Sequence, residues 1–136
     1  MKTLRKLLIS VALIPLLTGC VPETGDPNLA GTWNCHETSQ IFLKGSKGTS
    51  IYDVTFSRDA AVTEKYYIDN FYKLGNGVKV SVVKDGYTIT LPKQSVDGFV
   101  FEGTGTTNET YDLITMTYTA DDGGGQVDHV TAEYSR

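Results

Sequence analysis

Two cysteines and two histidines are the residues of this 136-residue chain with the most versatile chemistry. For His36 or His129 to act as the base of a hydrolase, a nucleophile and an orienting acid would have to lie beside it. No serine of the chain lies in a recognisable nucleophile-elbow motif. If the first and last strands pair, the two imidazoles could meet across that seam beside Glu37 or Asp128 and bind a divalent metal. Two histidines without a fixed third ligand make a poor zinc site. The sequence therefore predicts a non-enzymatic protein with no metal and no cofactor.

Cys20 follows a segment typical of secreted proteins. A basic start, with Lys2, Arg5 and Lys6, precedes an apolar run over 7–17 that is too short for a comfortable membrane span. The residues Leu17-Thr18-Gly19-Cys20 resemble the lipobox of bacterial lipoproteins, which carry type II signal peptides. The resemblance implies that residues 1–19 are removed and that Cys20 becomes a lipidated N-terminus, which anchors the chain to a membrane without spanning it.

Residues 20–28 then read as the lipidated N-terminus and a short tether rich in proline, glycine and acids. In the best-studied sorting system an aspartate directly after the lipidated cysteine retains a lipoprotein in the inner membrane, and Val21 is not that residue. By this analogy we expect the cell envelope of a Gram-negative bacterium, with the anchor in the outer membrane. The formal charge of the whole chain is −4, and the removed segment would be basic, so we expect no nucleic-acid partner.

Residues 29–136 are predicted to form one all-β domain. Short alternating segments separated by Gly, Asn and Asp turn signals recur, without a convincing helical period. The clearest hairpin turns at Lys84-Asp85-Gly86, because Asp-Gly suits a type I′ turn. The strands are predicted at about 31–38, 50–57, 65–71, 78–83, 86–91, 94–102, 110–119 and 127–135.

A meander of this kind leaves two exposed sheet edges unless its first and last strands pair. Closure into an eight-stranded antiparallel up-and-down barrel removes both edges. A two-sheet sandwich is the alternative. The short hairpin links from the third strand onward favour the meander, because Greek-key sandwiches need longer crossovers.

The residues Gly31-Thr32-Trp33 resemble the G-x-W motif that begins the first strand in lipocalins and fatty-acid-binding proteins, the calycin superfamily. The segments NFYKLG, YTITLPKQ and GTGT…ITMTYT are similar to those of small bacterial lipocalin-like lipoproteins. The resemblance implies that Trp33 closes one end of the barrel and that the terminal Arg136 packs over its ring. The chain departs from typical lipocalins in its shorter length and its lack of their disulfides. With Cys20 lipidated, Cys35 is predicted to be a small buried side chain.

Apolar and aromatic side chains alternate along the predicted strands and would face the barrel interior. The predicted lining of a ligand pocket is Tyr52, Phe56, Tyr66, Val80, Met116, Tyr118 and Tyr134. In a wide barrel this lining would bind a small apolar or amphiphilic ligand, and in a short barrel it would fill the core. Phe71 and Tyr72 are expected to be exposed before Gly75, where they could guard the barrel mouth or bind a flat ligand such as a sugar face; the alternative is that they cover the open end. The leading prediction is a ligand-binding envelope protein, and the alternative is a protein–protein interaction module or enzyme inhibitor with a filled barrel.

Overall fold

The computed structural model describes residues 28–41 and 48–136, and in it eight antiparallel strands form a closed barrel. The strands are β1 (Gly31–Ser39), β2 (Gly48–Arg58), β3 (Lys65–Asp69), β4 (Lys79–Asp85), β5 (Thr88–Val96), β6 (Phe99–Thr107), β7 (Leu113–Asp121) and β8 (Val127–Ser135). Each strand pairs with the next, and β8 pairs with β1. The predicted up-and-down barrel is confirmed, and the two-sheet alternative is wrong. The predicted signal peptide, the lipidation site at Cys20 and most of the tether lie outside the described residues.

The pairing of β1 with its two neighbours places one face of this strand inside the barrel. Cys35 lies opposite Tyr52 of β2 and Tyr134 of β8. Side chains alternate between buried and exposed from Trp33 onward, so Cys35 is a fully buried thiol and His36 faces outward.

The hairpin between β5 and β6 lies further along the chain than the sequence predicts. The expected strands at 86–91 and 94–102 are instead displaced toward the C-terminus, and the turn is formed by Asp97 and Gly98. Both residues have positive φ angles, 52° and 81°, as a two-residue type I′ turn requires. The register of β5 shifts around Pro92, which cannot donate a ladder hydrogen bond. Because of this irregularity, β5 looks in the sequence like a strand that ends before Pro92, although it continues to Val96.

The interior is tightly packed along β6 and β7. A Cβ added to Gly103 would lie 2.4 Å from the Cβ of Tyr118, and one added to Gly105 would lie 2.4 Å from the Cγ of Met116. Real side chains do not approach this closely, so both positions exclude any residue larger than glycine. The two glycines therefore allow bulky side chains of β7 to occupy the space against the β6 backbone.

The strand directions give the barrel two ends that are built differently. The Arg136 end contains the start of β1, the end of β8 and the loops 59–64, 86–87 and 108–112. The Asp128 end contains the end of β1, the start of β2 and the loops 70–78, 97–98 and 122–126. Loop 70–78 includes a 3₁₀ turn, Phe71–Lys73, and none of the described residues belongs to a helix long and apolar enough to cross a bilayer.

Candidate functional site

Trp33 is enclosed at the Arg136 end. Its indole is fully buried and donates a 2.8 Å hydrogen bond to the carbonyl of Leu29. The Cζ atom of Arg136 lies 4.2 Å from the indole centroid, a cation–π contact that stabilises by about 1 kcal/mol at a partly exposed site. Gly31 has a φ of +130°, and a Cβ there would lie 3.3 Å from Arg136 Nη1. The glycine of the G-x-W motif thus leaves room for the guanidinium.

The Arg136 guanidinium also ties three chain segments together. It donates hydrogen bonds to the carbonyls of Asn28, Ala30 and Tyr111, at 2.9, 2.8 and 3.0 Å. A planar fork of donors suits three carbonyls that approach from different directions. The Arg136 end is therefore closed by contacts between the segment that precedes β1, the residue that follows β8 and loop 108–112.

Among the described residues, two side chains of loop 70–78 cover the Asp128 end. The expectation that Phe71 and Tyr72 are exposed is wrong, because both rings are fully buried, whereas the alternative that the pair covers the open end of the barrel agrees with the structure. The centroid of Phe71 lies 4.7 Å from that of Tyr118 and 5.2 Å from that of Phe101. The Tyr72 ring lies 5.6 Å from Phe101. We call Phe71 and Tyr72 the aromatic plug.

An unusual backbone turns the aromatic plug into the barrel. Asn70, Tyr72 and Lys73 are in the left-handed region, with φ angles of 61°, 55° and 56°. For residues other than glycine this conformation costs on the order of 1–2 kcal/mol each, and surrounding contacts must hold it. The Asn70 side chain supplies two such contacts, donating to the carbonyl of Asp53 at 2.8 Å and accepting from the amide of Gly75 at 2.9 Å. No sequence period signals such a turn, so the insertion of both rings into the barrel interior was not predicted.

Asp128 holds the plug from the barrel wall. Its fully buried carboxylate accepts hydrogen bonds from the hydroxyl of Tyr72 at 2.5 Å and from the hydroxyl of Ser39. The backbone amides of Gln40 and Ile41 donate to its other oxygen at 2.9 and 3.1 Å. Burial alone would raise the pKa of Asp128, but these hydrogen bonds outweigh it and lower the pKa below the usual value.

Glu37 is a second carboxylate inside the barrel. It accepts hydrogen bonds from the hydroxyls of Tyr118, at 2.7 Å, and of Tyr52. Burial, and then the charge of Glu37, raise the pKa of the Tyr118 hydroxyl far above its ordinary value, so this hydroxyl remains a donor. The interior of the Asp128 end therefore combines aromatic rings with two carboxylates and phenolic donors.

The side chains predicted to line a pocket all face the interior and are at most 9% exposed. They are Tyr52, Phe56, Tyr66, Val80, Met116, Tyr118 and Tyr134. The structure brings two of them, Tyr52 and Tyr118, to Glu37, and it packs Phe56 between Trp33 and Tyr134, with centroids 5.6 and 5.7 Å apart.

The two histidines do not form a pair. His36 lies opposite Glu133 on the outer face, and His129 is four positions from Glu133 along β8, which is about 13 Å. Glu37 and Asp128 point inward, so the idea that they flank the histidines is wrong. Within residues 28–41 and 48–136, no three His, Cys, Asp or Glu side chains are grouped to hold a metal ion.

A groove of about 360 Å³ lies on the outer face of β6, β7 and β8, and sequence reasoning did not identify it. Its lining side chains are mostly hydroxyls, with one acid and one imidazole. They include Thr104, Thr117, Thr119, Thr131, Glu102 and His129. The strand register aligns Thr104 with Thr117 and Thr117 with Thr131 in a row across the three strands.

No model of a known protein family matches the chain, and no curated protein sequence matches it. The closed eight-stranded antiparallel barrel, with Trp33 enclosed at one end, is consistent with a lipocalin-like fold.

Asp128→Asn should remove an acid-sensitive part of the stability. The folded pKa of Asp128 lies below its unfolded value of about 4, so its carboxylate stabilises the fold above that pH. This contribution is lost as the pH falls through the folded pKa. In urea unfolding followed by Trp33 fluorescence, we expect Asp128→Asn to be about 1–3 kcal/mol less stable at pH 7, with a smaller deficit at pH 3.

The matched control is Asp122→Asn, on the exposed loop 122–126 of the same end. Its stability should follow the wild type at both pH values. Equal deficits for Asp128→Asn at pH 7 and pH 3 would contradict the assignment.

Proposed function

We propose that this chain is a lipid-anchored protein of the bacterial cell envelope whose barrel binds a small apolar or amphiphilic ligand. In this proposal it is non-enzymatic and uses no cofactor, and its anchor is the lipidated Cys20 in the outer membrane. The ligand enters at the Asp128 end, where the aromatic plug moves aside and leaves its place to the ligand.

The closure of the Asp128 end by a loop is the observation that carries the proposal. Strand pairing does not hold the aromatic plug in place; its ring contacts with Phe101 and Tyr118 and the hydrogen bond from Tyr72 to Asp128 do, against the cost of a left-handed backbone segment. Elements that move on ligand binding are drawn from the least stable parts of a fold. A strained loop with two rings inserted into the barrel is such an element, and its departure would vacate an aromatic-walled space.

The side chains beneath the plug favour an amphiphilic ligand over a purely apolar one. Phe101 and Tyr118 would contact an apolar body of the ligand. The carboxylates of Asp128 and Glu37, already within a network of hydroxyl donors, would accept a hydrogen bond from a ligand hydroxyl or amine. In small-molecule sites, a small number of polar groups within an apolar pocket usually fixes the orientation of the ligand and gives specificity.

A protein partner in the envelope is the second candidate function, and the outer groove favours it. The groove lies on the wall of the barrel, away from the interior, and its hydroxyl-lined floor crosses three strands. A filled barrel would present this surface without any movement of the plug.

Cys20→Ser should abolish lipidation. In cells that are fed an alkyne-tagged fatty acid, we expect the label on the wild-type chain to be lost in Cys20→Ser, because the thiol is the acceptor of the first acyl group. Cys35→Ser is the matched control, since the Cys35 thiol is fully buried in the barrel. Label that persists in Cys20→Ser, or that disappears in Cys35→Ser, would contradict the anchor.

Tyr72→Phe should strengthen binding of an apolar probe. Loss of the hydroxyl removes the hydrogen bond to Asp128 and raises the population with the plug displaced. Titration with N-phenyl-1-naphthylamine, a neutral apolar amine, followed by its fluorescence, should show tighter binding by several-fold to about tenfold.

Tyr67→Phe is the matched control for this measurement. It removes a Tyr–Asp hydrogen bond of 2.7 Å to Asp59 outside the barrel interior, so probe affinity should stay at the wild-type value. Thr117→Lys obstructs the outer groove and should also leave the affinity unchanged. Equal affinity in Tyr72→Phe and the wild type would overturn the entry route, and loss of binding in Thr117→Lys would favour the outer groove.

A further inference from the structure

The N-terminal segment that would carry a lipid on Cys20 enters the barrel at the Arg136 end. Asn28, the first residue described, lies at the Arg136 end, and its carbonyl accepts a 2.9 Å hydrogen bond from Arg136. Cys20 is eight residues upstream, so the two residues lie at most about 30 Å apart whatever path the chain takes. A lipid on Cys20 therefore holds Asn28, at the Arg136 end, within about 30 Å of the bilayer surface.

The loops of the same end expose apolar side chains. Val62, Tyr87 and Leu113 are 51, 49 and 37% exposed, and they lie in or beside loops 59–64, 86–87 and 108–112. The Tyr87 ring is 5.9 Å from the Tyr111 ring, and the carbonyl of Tyr111 accepts a hydrogen bond from Arg136. Contacts through Arg136 and Tyr111 thus connect Asn28 to the exposed ring of Tyr87.

The charges at this end do not form a basic patch. Acidic and basic side chains are interspersed on the three loops and the adjoining strand ends: Asp59, Glu64, Asp85, Glu109 and Asp112 with Arg58, Lys65, Lys84 and Arg136. Contact with a bilayer would therefore depend on apolar and aromatic side chains and would not require anionic lipid. Tyrosine suits this position, because its ring favours the boundary between headgroups and acyl chains.

We propose that loops 59–64, 86–87 and 108–112 form a membrane-contact surface on which the anchored barrel rests, with the Asp128 end directed away from the bilayer. This inference rests on the lipidation of Cys20 in the proposed function and adds an orientation to it. The aromatic plug then opens toward the aqueous side, so the ligand reaches the barrel from solution and not directly from the membrane.

Hydrogen exchange measured by mass spectrometry tests the orientation. The mature chain from Cys20 is coupled through the Cys20 thiol to a maleimide lipid in phosphatidylcholine vesicles, while the Cys35 thiol is buried and protected. The reference is Cys20→Ser mixed with the same vesicles. We expect exchange to slow by several-fold in peptides covering 59–64, 86–87 and 108–112, in low and in high salt, and to be unchanged in 70–78 and 122–126.

Two variants test whether the slowed hydrogen exchange arises from the membrane-contact surface. Tyr87→Ser should reduce the slowing of hydrogen exchange in 86–87 and 108–112. Val127 is 40% exposed at the Asp128 end, and Val127→Ser should leave this slowing unchanged. Slowing at the Asp128 end, no slowing in any loop, or slowing only with anionic vesicles would overturn the proposal. Because the coupling is chemical, a failure here is distinct from a failure of lipidation in cells.

Discussion

The hydrogen-bonded pairing of β1 with β8 is the contact on which the rest of the structure depends. It joins the two strands that would otherwise be free edges, and the barrel interior exists only because it forms. The same pairing fixes the register of β1, which carries both Trp33 and Glu37 on its inner face. One strand thus contributes the apolar closure of the Arg136 end and a carboxylate toward the Asp128 end.

The two ends then differ in how firmly they are closed. At the Arg136 end a guanidinium covers the Trp33 indole and binds three backbone carbonyls, so opening would break contacts to the segment before β1 and to loop 108–112 at once. At the Asp128 end, the closure formed by the described residues depends on the conformation of loop 70–78 and on the side chains around Asp128. This asymmetry is the physical basis for placing ligand entry at one end and membrane contact at the other.

Strand alternation made the barrel and most of its interior predictable. Counting by twos from Trp33 or Tyr134 gives the inward faces of β1 and β8, and the same count reaches Glu37 and Asp128. Their burial was missed because acidic residues are expected outside unless a partner is known. Their partners, Tyr118 and Tyr72, are 81 and 56 residues away in the chain, so only the closed barrel brings them together. The inward turn of Phe71 was beyond prediction for another reason, since left-handed conformations of Asn70 and Tyr72 follow no sequence period.

The central claim is that the interior of the Asp128 end accepts a small molecule when the aromatic plug moves. Native mass spectrometry of the protein purified from its own host, under conditions that preserve noncovalent complexes, tests this claim most directly. The account predicts a co-purifying small molecule of one chemical class, released when the barrel unfolds. Protein that is consistently empty, with its mass equal to that of the lipidated chain alone, would contradict it.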